Sequence, residues 1–152
     1  MNYTTAMIQL PLVKEAKKVM VRTPENVWDV CEDIKDLAQE TFHVLTLTAK
    51  NHLINRHMTT LGLADASLTH AREVFRPAIH DGASAVVLVH NHPSGDNTPS
   101  AEDMRITKQL VEAGRIIDIK VLDHIIIGRE DNSNGNRRPF LSMREDGICN
   151  FA

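Results

Sequence analysis

Apolar residues change period several times along this chain, and each change marks an element. From Thr23 the positions Val27, Val30, Cys31, Ile34, Leu37 and Ala38 recur at the three- and four-residue spacing of one helix face. Thr23 suits the N-cap and Pro24 the first turn. Trp28 lies beside that stripe and suits core or boundary packing. After Glu40 the period shortens. Phe42, Val44, Leu45 and Leu47 read as a strand, Lys50, Asn51 and His52 as a turn, and a second strand runs to about Leu63. The two strands form a hairpin. His43, His52 and His57 have no partner at ligand spacing and are assigned to surface positions on the strands and turn.

A second helix is predicted over residues 70–80, with Val74, Phe75, Ala78 and Ile79 inward. Pro77 should kink it or end it early. Asp81 and Gly82 turn the chain into an apolar run, Ala85, Val86, Val87, Leu88 and Val89, which leads directly into His90, Asn91 and His92. A run of that length and branching reads as a buried strand. Strand side chains alternate, so His90 and His92 share one face and Asn91 takes the other. Two prolines and a glycine make residues 93–99 a loop.

A third helix covers residues 100–113, with Met104, Thr107, Leu110 and Val111 inward, Arg105 and Lys108 on its solvated side, and Gly114 as its stop. Residues 116–127 are another strand region, broken by Asp123 and His124. These two are either a buried, hydrogen-bonded pair supporting a site or a purely structural pair. Residues 129–138 form a polar loop, either a substrate-gating lid or an idle insertion, and residues 140–143 return as a short strand. Residues 7–12 add a short edge strand, since Pro11 bars a central one. Lys14, Lys17 and Lys18 form a basic cluster on a solvated face. Residues 1–22 are thus an N-terminal extension and residues 23–152 the domain.

Composition narrows the class. A chain of 152 residues fits one domain with an adequate core, and a net charge of −3 argues against an obvious polyanion binder. No apolar run approaches the roughly 20 residues of a membrane span, and no signal-peptide pattern opens the chain. Cys31 and Cys149 are too few for a disulfide framework, so free thiols in a reducing, cytoplasmic setting are expected. There are no repeats, no glycine-rich phosphate loop and no Ser-His-Asp pattern.

The chemistry concentrates between Ala83 and Asp103. His90 and His92 stand side by side at a strand end, and a helix starting at Ser100 brings Asp103 back toward them. Two imidazoles and a carboxylate are a ligand set that a catalytic zinc uses, with a fourth position left for water. The same residues also fit a helix start with Ser100 as N-cap and Asp103 in the first turn, which requires no metal.

His90-x-His92 followed by Ser100 and Asp103 resembles the JAMM motif of JAB/MPN metallopeptidase domains. The longer string HNHPSGDNTPSAED, together with LDHIIIG at residues 122–128, resembles the RadC-like branch, and the resemblance covers residues 23–147. It implies an α/β (α+β) fold of the JAB/MPN, cytidine-deaminase-like kind: a mixed, largely antiparallel sheet flanked by helices. It implies zinc held by His90, His92 and Asp103, and Glu40, opening the strand after the first helix, as the base. Glu73 is its rival, although a carboxylate in the first turn of a helix already has a reason to be there. Ser100 is then the donor to a developing oxyanion. The activity implied is that of a zinc-dependent peptidase or isopeptidase acting on a peptide or protein substrate, with ubiquitin-like conjugates among the candidates.

Two other functions fit the same resemblance. One is a DNA-repair-associated accessory protein that keeps a zinc site. Longer members of the family carry an N-terminal helical region suited to DNA contacts; this chain opens too near the JAB-like part to include one and is acidic, which weakens the DNA reading. The other is a zinc-stabilised interaction module without hydrolase activity. Residues 129–138 look longer than the connection expected in the family.

Overall fold

Thr23 caps the first helix, α1 (Pro24–Cys31): its hydroxyl accepts from the Asn26 backbone N–H at 3.2 Å, and the Asn26 side chain accepts from Thr23 N–H at 3.2 Å. The computed structural model describes residues 18–61, 70–129 and 138–151. The helix gives way at Cys31 to a 3₁₀ turn (Glu32–Ile34), so Leu37 and Ala38 do not extend its buried stripe, and Leu37 is 39% exposed. The cause is Arg56, whose guanidinium donates to the Val30 carbonyl at 3.0 Å and to Asp33 at 2.8 Å. That puts a competing donor on the carbonyl the next α-helical turn would use.

Strand β1 (Thr41–Leu47) and strand β2 (Leu53–Leu61) pair antiparallel across a turn in which Asn51 takes the left-handed conformation at φ 62°. Residues 62–63, to which β2 was expected to run, lie outside the described residues. His43 corrects the surface assignment: it is buried in β1, with Nε2 2.8 Å from the Thr41 hydroxyl. His57 is half-buried and pairs with Asp81 at 2.6 Å.

Helix α2 (Ala71–His80) runs through Pro77 to its last turn rather than ending early. Val74, Phe75 and Ala78 are buried, but Ile79 is 62% exposed. At 100° per residue Ile79 falls about 95° from the centre of that stripe, too far round to join it.

Strand β3 (Ala85–Asn91), helix α3 (Ala101–Ile117) and strand β4 (Lys120–Ile127) form a parallel crossover, and strand β5 (Phe140–Ser142) adds an antiparallel edge. The sheet order is β2-β1-β3-β4-β5, with three of its four pairings antiparallel, so the expected mixed, largely antiparallel sheet flanked by helices is what forms.

Gly114 is not the stop of α3. The helix continues to Ile117 and is closed by Asp118 in the left-handed conformation at φ 59°. Gly114 is instead a contact point, where an added Cβ would lie 2.4 Å from the Ile119 carbonyl oxygen. Ile116 and Ile117, expected in the strand, are helical and exposed.

Both faces of the sheet are covered, which is why every residue of β1 and β3 is buried. On one face Phe42, Val44, Val86 and Leu88 meet Val74 and Phe75 of α2 and Ile106 and Leu110 of α3. On the other, Leu45, Leu47, Val87, Val89, Ile125 and Ile127 meet Val27, Cys31 and Ile34. Val21 is buried in this second layer, and Leu53 N–H donates to the Val19 carbonyl at 2.8 Å. Packing therefore begins a few residues before Thr23, inside the expected extension. The proposed edge strand at 7–12 and most of the basic cluster at 14–18 lie outside the described residues, as do residues 130–137 of the polar loop; Lys18 is exposed.

Candidate metal centre

Alternation along the strands sorts side chains onto the two faces. Phe42 and His90 are directly opposite in the β1–β3 ladder and stack with ring centroids 5.9 Å apart, on the face covered by α2 and α3. Glu40 precedes β1 and shares the parity of Phe42. Asn91 points to the other face. Past β3, the loop through Gly95 carries the chain to Ser100, and the first turn of α3 returns Asp103 to the strand end.

Glu40, His90, His92 and Asp103 thereby form a group whose ligand atoms all lie within 4.8 Å of one another and could hold a metal ion. His90 Nε2 is 2.9 Å from His92 Nε2, 3.3 Å from Asp103 Oδ1 and 3.8 Å from Glu40 Oε1; His92 Nε2 is 3.1 Å from Asp103 Oδ2. Exposure is graded. The His90 and Asp103 side chains are buried, while Glu40 keeps 22% of its surface open, so the group has a floor and a solvent side.

Each imidazole is held from behind. His92 Nδ1 donates to the Asp96 carbonyl at 2.7 Å, which leaves Nε2 of a neutral ring bare. His90 Nδ1 lies 2.7 Å from His124 Nε2, and His124 Nδ1 lies 2.5 Å from the Thr107 hydroxyl. Asp103 does two things at once. Its Oδ2 accepts from Ser100 N–H at 2.9 Å while the Ser100 hydroxyl accepts from Asp103 N–H at 3.0 Å, a reciprocal cap on α3. The same carboxylate faces both imidazoles. The helix-cap and ligand readings of Asp103 are therefore compatible in geometry.

The electrostatics follow from crowding. Burial works against ionisation of Asp103, yet hydrogen bonds from His90 and His92 hold its carboxyl far below the usual carboxylate range. Burial also works against protonation of His92, but the Asp103 carboxylate and the Asp96 carbonyl raise its affinity for a proton above the ordinary value. His124 is driven the other way, well below the histidine range, chiefly by complete burial. His43 is lowered to about 4, by burial first and Arg56 second.

The donor set fits a divalent cation of the zinc kind. His90 Nε2 and His92 Nε2 lie 2.9 Å apart beside the Asp103 carboxylate, three donor atoms of the kind such a cation takes. Ligand bonds of about 2.0–2.1 Å at tetrahedral angles would separate donor atoms by about 3.3 Å, close to the spacings here.

Glu73 is not part of this group. Its carboxylate accepts from His70 N–H at 3.4 Å and caps α2. Asp123 and His124 do not form the side-chain pair expected of them. His124 faces the site, whereas Asp123 turns to the opposite face and accepts from Ser142 Oγ and from Arg144 N–H, anchoring the chain after β5. Two contributors were not singled out from sequence. The sequence pattern gives Thr107 a packing position and Asn91 only the far face; parity is the signal that sets Asn91 apart from its neighbours. Among the described residues no buried side-chain nitrogen or oxygen lacks a partner.

A family model described as RadC-like JAB domain matches residues 21–148. A UPF0758 protein of Desulforamulus reducens is 47% identical over 132 residues, covering 86% of this chain and 55% of its own length. A UPF0758 protein of Caldanaerobacter subterraneus subsp. tengcongensis is 43% identical over 144 residues, covering 94% and 58%. One from Listeria monocytogenes is 44% identical over 140 residues, covering 91% and 59%. The chain spans a little over half the length of these curated relatives, whose names carry no activity.

Proposed function

The chain belongs to the RadC-like JAB domain family, and from that premise we propose that it is a zinc-dependent metallohydrolase cleaving a peptide or isopeptide bond. The observation that carries the proposal is the convergence of His90, His92 and Asp103 on one point with Glu40 at its open side. Three protein donors plus a position left to solvent is the arrangement of a catalytic rather than a structural zinc.

Bound zinc supplies Lewis acidity, lowering the pKa of a water to about 7 and polarising the carbonyl under attack. The residues do the rest. His90, His92 and Asp103 orient and hold the ion. Glu40, within reach of His90 Nε2 at 3.8 Å yet partly solvated, takes a proton from the attacking water and returns it to the leaving amine. Ser100 accepts from Asp103 N–H, which leaves its own O–H proton free to donate to the developing oxyanion. One such donor contributes about 3 kcal/mol in other hydrolases.

The free, buried cysteines Cys31 and Cys149 suit a reducing cytoplasm. Among the described residues no helix is long and apolar enough to cross a membrane. The test is incubation of the zinc-loaded protein with a panel of peptide and isopeptide-linked substrates, beside a chelated control. Cleavage that chelation stops and zinc restores is the expected result. A protein that holds zinc stoichiometrically and cleaves none of them is a zinc-stabilised interaction module instead.

A further inference from the structure

We propose that His124 and Thr107 are positioning residues: a one-way hydrogen-bond relay that locks His90 in the tautomer whose bare Nε2 faces the cation. The direction is settled at the relay's far end. The Thr107 hydroxyl lies 2.6 Å from the Asp103 backbone carbonyl and 3.6 Å from Met143 Sδ. Neither can donate, so the single Thr107 proton goes to the carbonyl. The Thr107 oxygen must then accept from His124 Nδ1 at 2.5 Å. A neutral His124 with its proton on Nδ1 has a bare Nε2, which accepts from His90 Nδ1 at 2.7 Å. His90 Nε2 is left without a proton and points at His92 and Asp103.

The reverse direction fails at the carbonyl, where two oxygens 2.6 Å apart would face each other with no proton between them. It would also put a proton on His90 Nε2, where the cation must go. His90, Thr107 and His124 are all fully buried, so no water substitutes for a missing link. The relay starts on one ligand and ends on the backbone of another: His90 and Asp103 are joined from behind as well as in front. His92 has an independent lock in the Asp96 carbonyl, so only His90 depends on His124. In ligand-supporting contacts of this kind, loss typically costs tenfold to a hundredfold in metal affinity.

This inference rests on reading the four residues as a metal site, and not on hydrolysis. Long-range proton–nitrogen correlation spectra of the imidazole rings read the tautomers directly, with and without zinc. His124 is expected to carry its one proton on Nδ1 in both states, and His90 to carry its proton on Nδ1 in the zinc-loaded protein. A His124 proton on Nε2 overturns the relay. A parent that binds no zinc while His124 keeps its Nδ1 proton removes the metal reading and leaves the relay standing.

Zinc affinity, measured by competition with a chelating dye, supplies the second readout. Thr107→Val keeps the shape and removes the hydroxyl; its zinc dissociation constant should rise at least tenfold, with the His90 tautomer signal broadened or shifted. Thr107→Ser should restore both to near the parent's. His124→Leu should weaken zinc further. A folded Thr107→Val variant with parent-like zinc affinity and an unchanged His90 signal would sink the proposal.

Discussion

Asn91 holds the backbone on both sides of Glu40. Its amide donates to the Gln39 carbonyl at 3.0 Å, and its oxygen accepts from the Thr41 N–H at 2.7 Å and the Thr41 hydroxyl at 2.9 Å. Asn91 points away from the site, yet it is the residue between His90 and His92. The strand that presents the imidazoles therefore also sets where Glu40 begins. Asn91→Ala should cost about 1–3 kcal/mol, because it strands buried partners, and should lower turnover more than zinc affinity. Denaturant unfolding and parallel kinetic and zinc titrations check this; an equal fall in both would place Asn91 with the ligands instead.

Glu40→Gln retains the shape of the proposed base and removes its proton chemistry. Zinc affinity should stay within a few-fold of the parent while turnover falls at least about a hundredfold. Glu73→Gln is the control: among the described residues it serves the cap of α2, so turnover should stay at the parent level and stability should drop by no more than about 1 kcal/mol. Substantial activity in the Glu40 variant would remove it as the base.

Replacing a helical glycine with alanine usually stabilises a helix by about 1 kcal/mol. At Gly114 the sign should reverse, because the new Cβ would meet the Ile119 carbonyl oxygen at 2.4 Å, with Phe75 and Val121 at 3.3 Å. A loss of about 1–3 kcal/mol is expected, as for other overpacked sites. An unfolding midpoint above the parent's would contradict the contact.

Gly128 lies against the loop that serves His92. A Cβ there would sit 2.3 Å from the Gly95 carbonyl oxygen, and Gly95 is next to Asp96, whose carbonyl holds His92 Nδ1. Gly128→Ala should push this loop outward and weaken zinc binding several-fold, visible in a chelator competition. Unchanged affinity would show that the loop can move without disturbing His92.

His43 gives a pH signature. Its folded-state value, about 4, lies below the ordinary histidine value, so between about pH 6.5 and pH 4 the unfolded chain binds the extra proton. The associated stability is complete above that window and declines as pH falls through it, by on the order of 3 kcal/mol. Urea midpoints at pH 7.5 and 4.5 should therefore fall further for the parent than for His43→Gln. Parallel declines would mean that His43 is not the group responsible.

Much of this architecture is local enough to read from the chain. The Thr23 cap, the β1–β2 hairpin and the apolar run into His90 rest on caps, turns and periodicity, which act over a few residues. The errors fall where a distant partner intervened. Arg56, across the hairpin, drew Asp33 and the Val30 carbonyl out of the helix that periodicity extended to Ala38. Gly114 looked like a stop, but Phe75 of α2 closes on it from 39 positions away, beside the Ile119 carbonyl where the chain turns back. His43 carried no spacing partner and was assigned outward, while its burial depends on both sides of β1 being covered.

The candidate site divides the same way. Spacing and residue type by themselves brought forward His90, His92 and Asp103, with Ser100 only as the helix cap, because a strand end and the helix after it are joined by a short loop. The family resemblance added Glu40. Only the folded chain decided that Asp123 and His124 part to opposite faces, that Thr107 sets the direction of a proton chain, and that Asn91 fixes the backbone around Glu40. The His90–His124, Gln39–Asn91 and Thr107–His124 contacts behind them join residues 17 to 52 positions apart, the Thr107 bond to the Asp103 carbonyl, four apart, being the local exception. No local pattern encodes them, since sheet order and helix packing alone choose which faces meet.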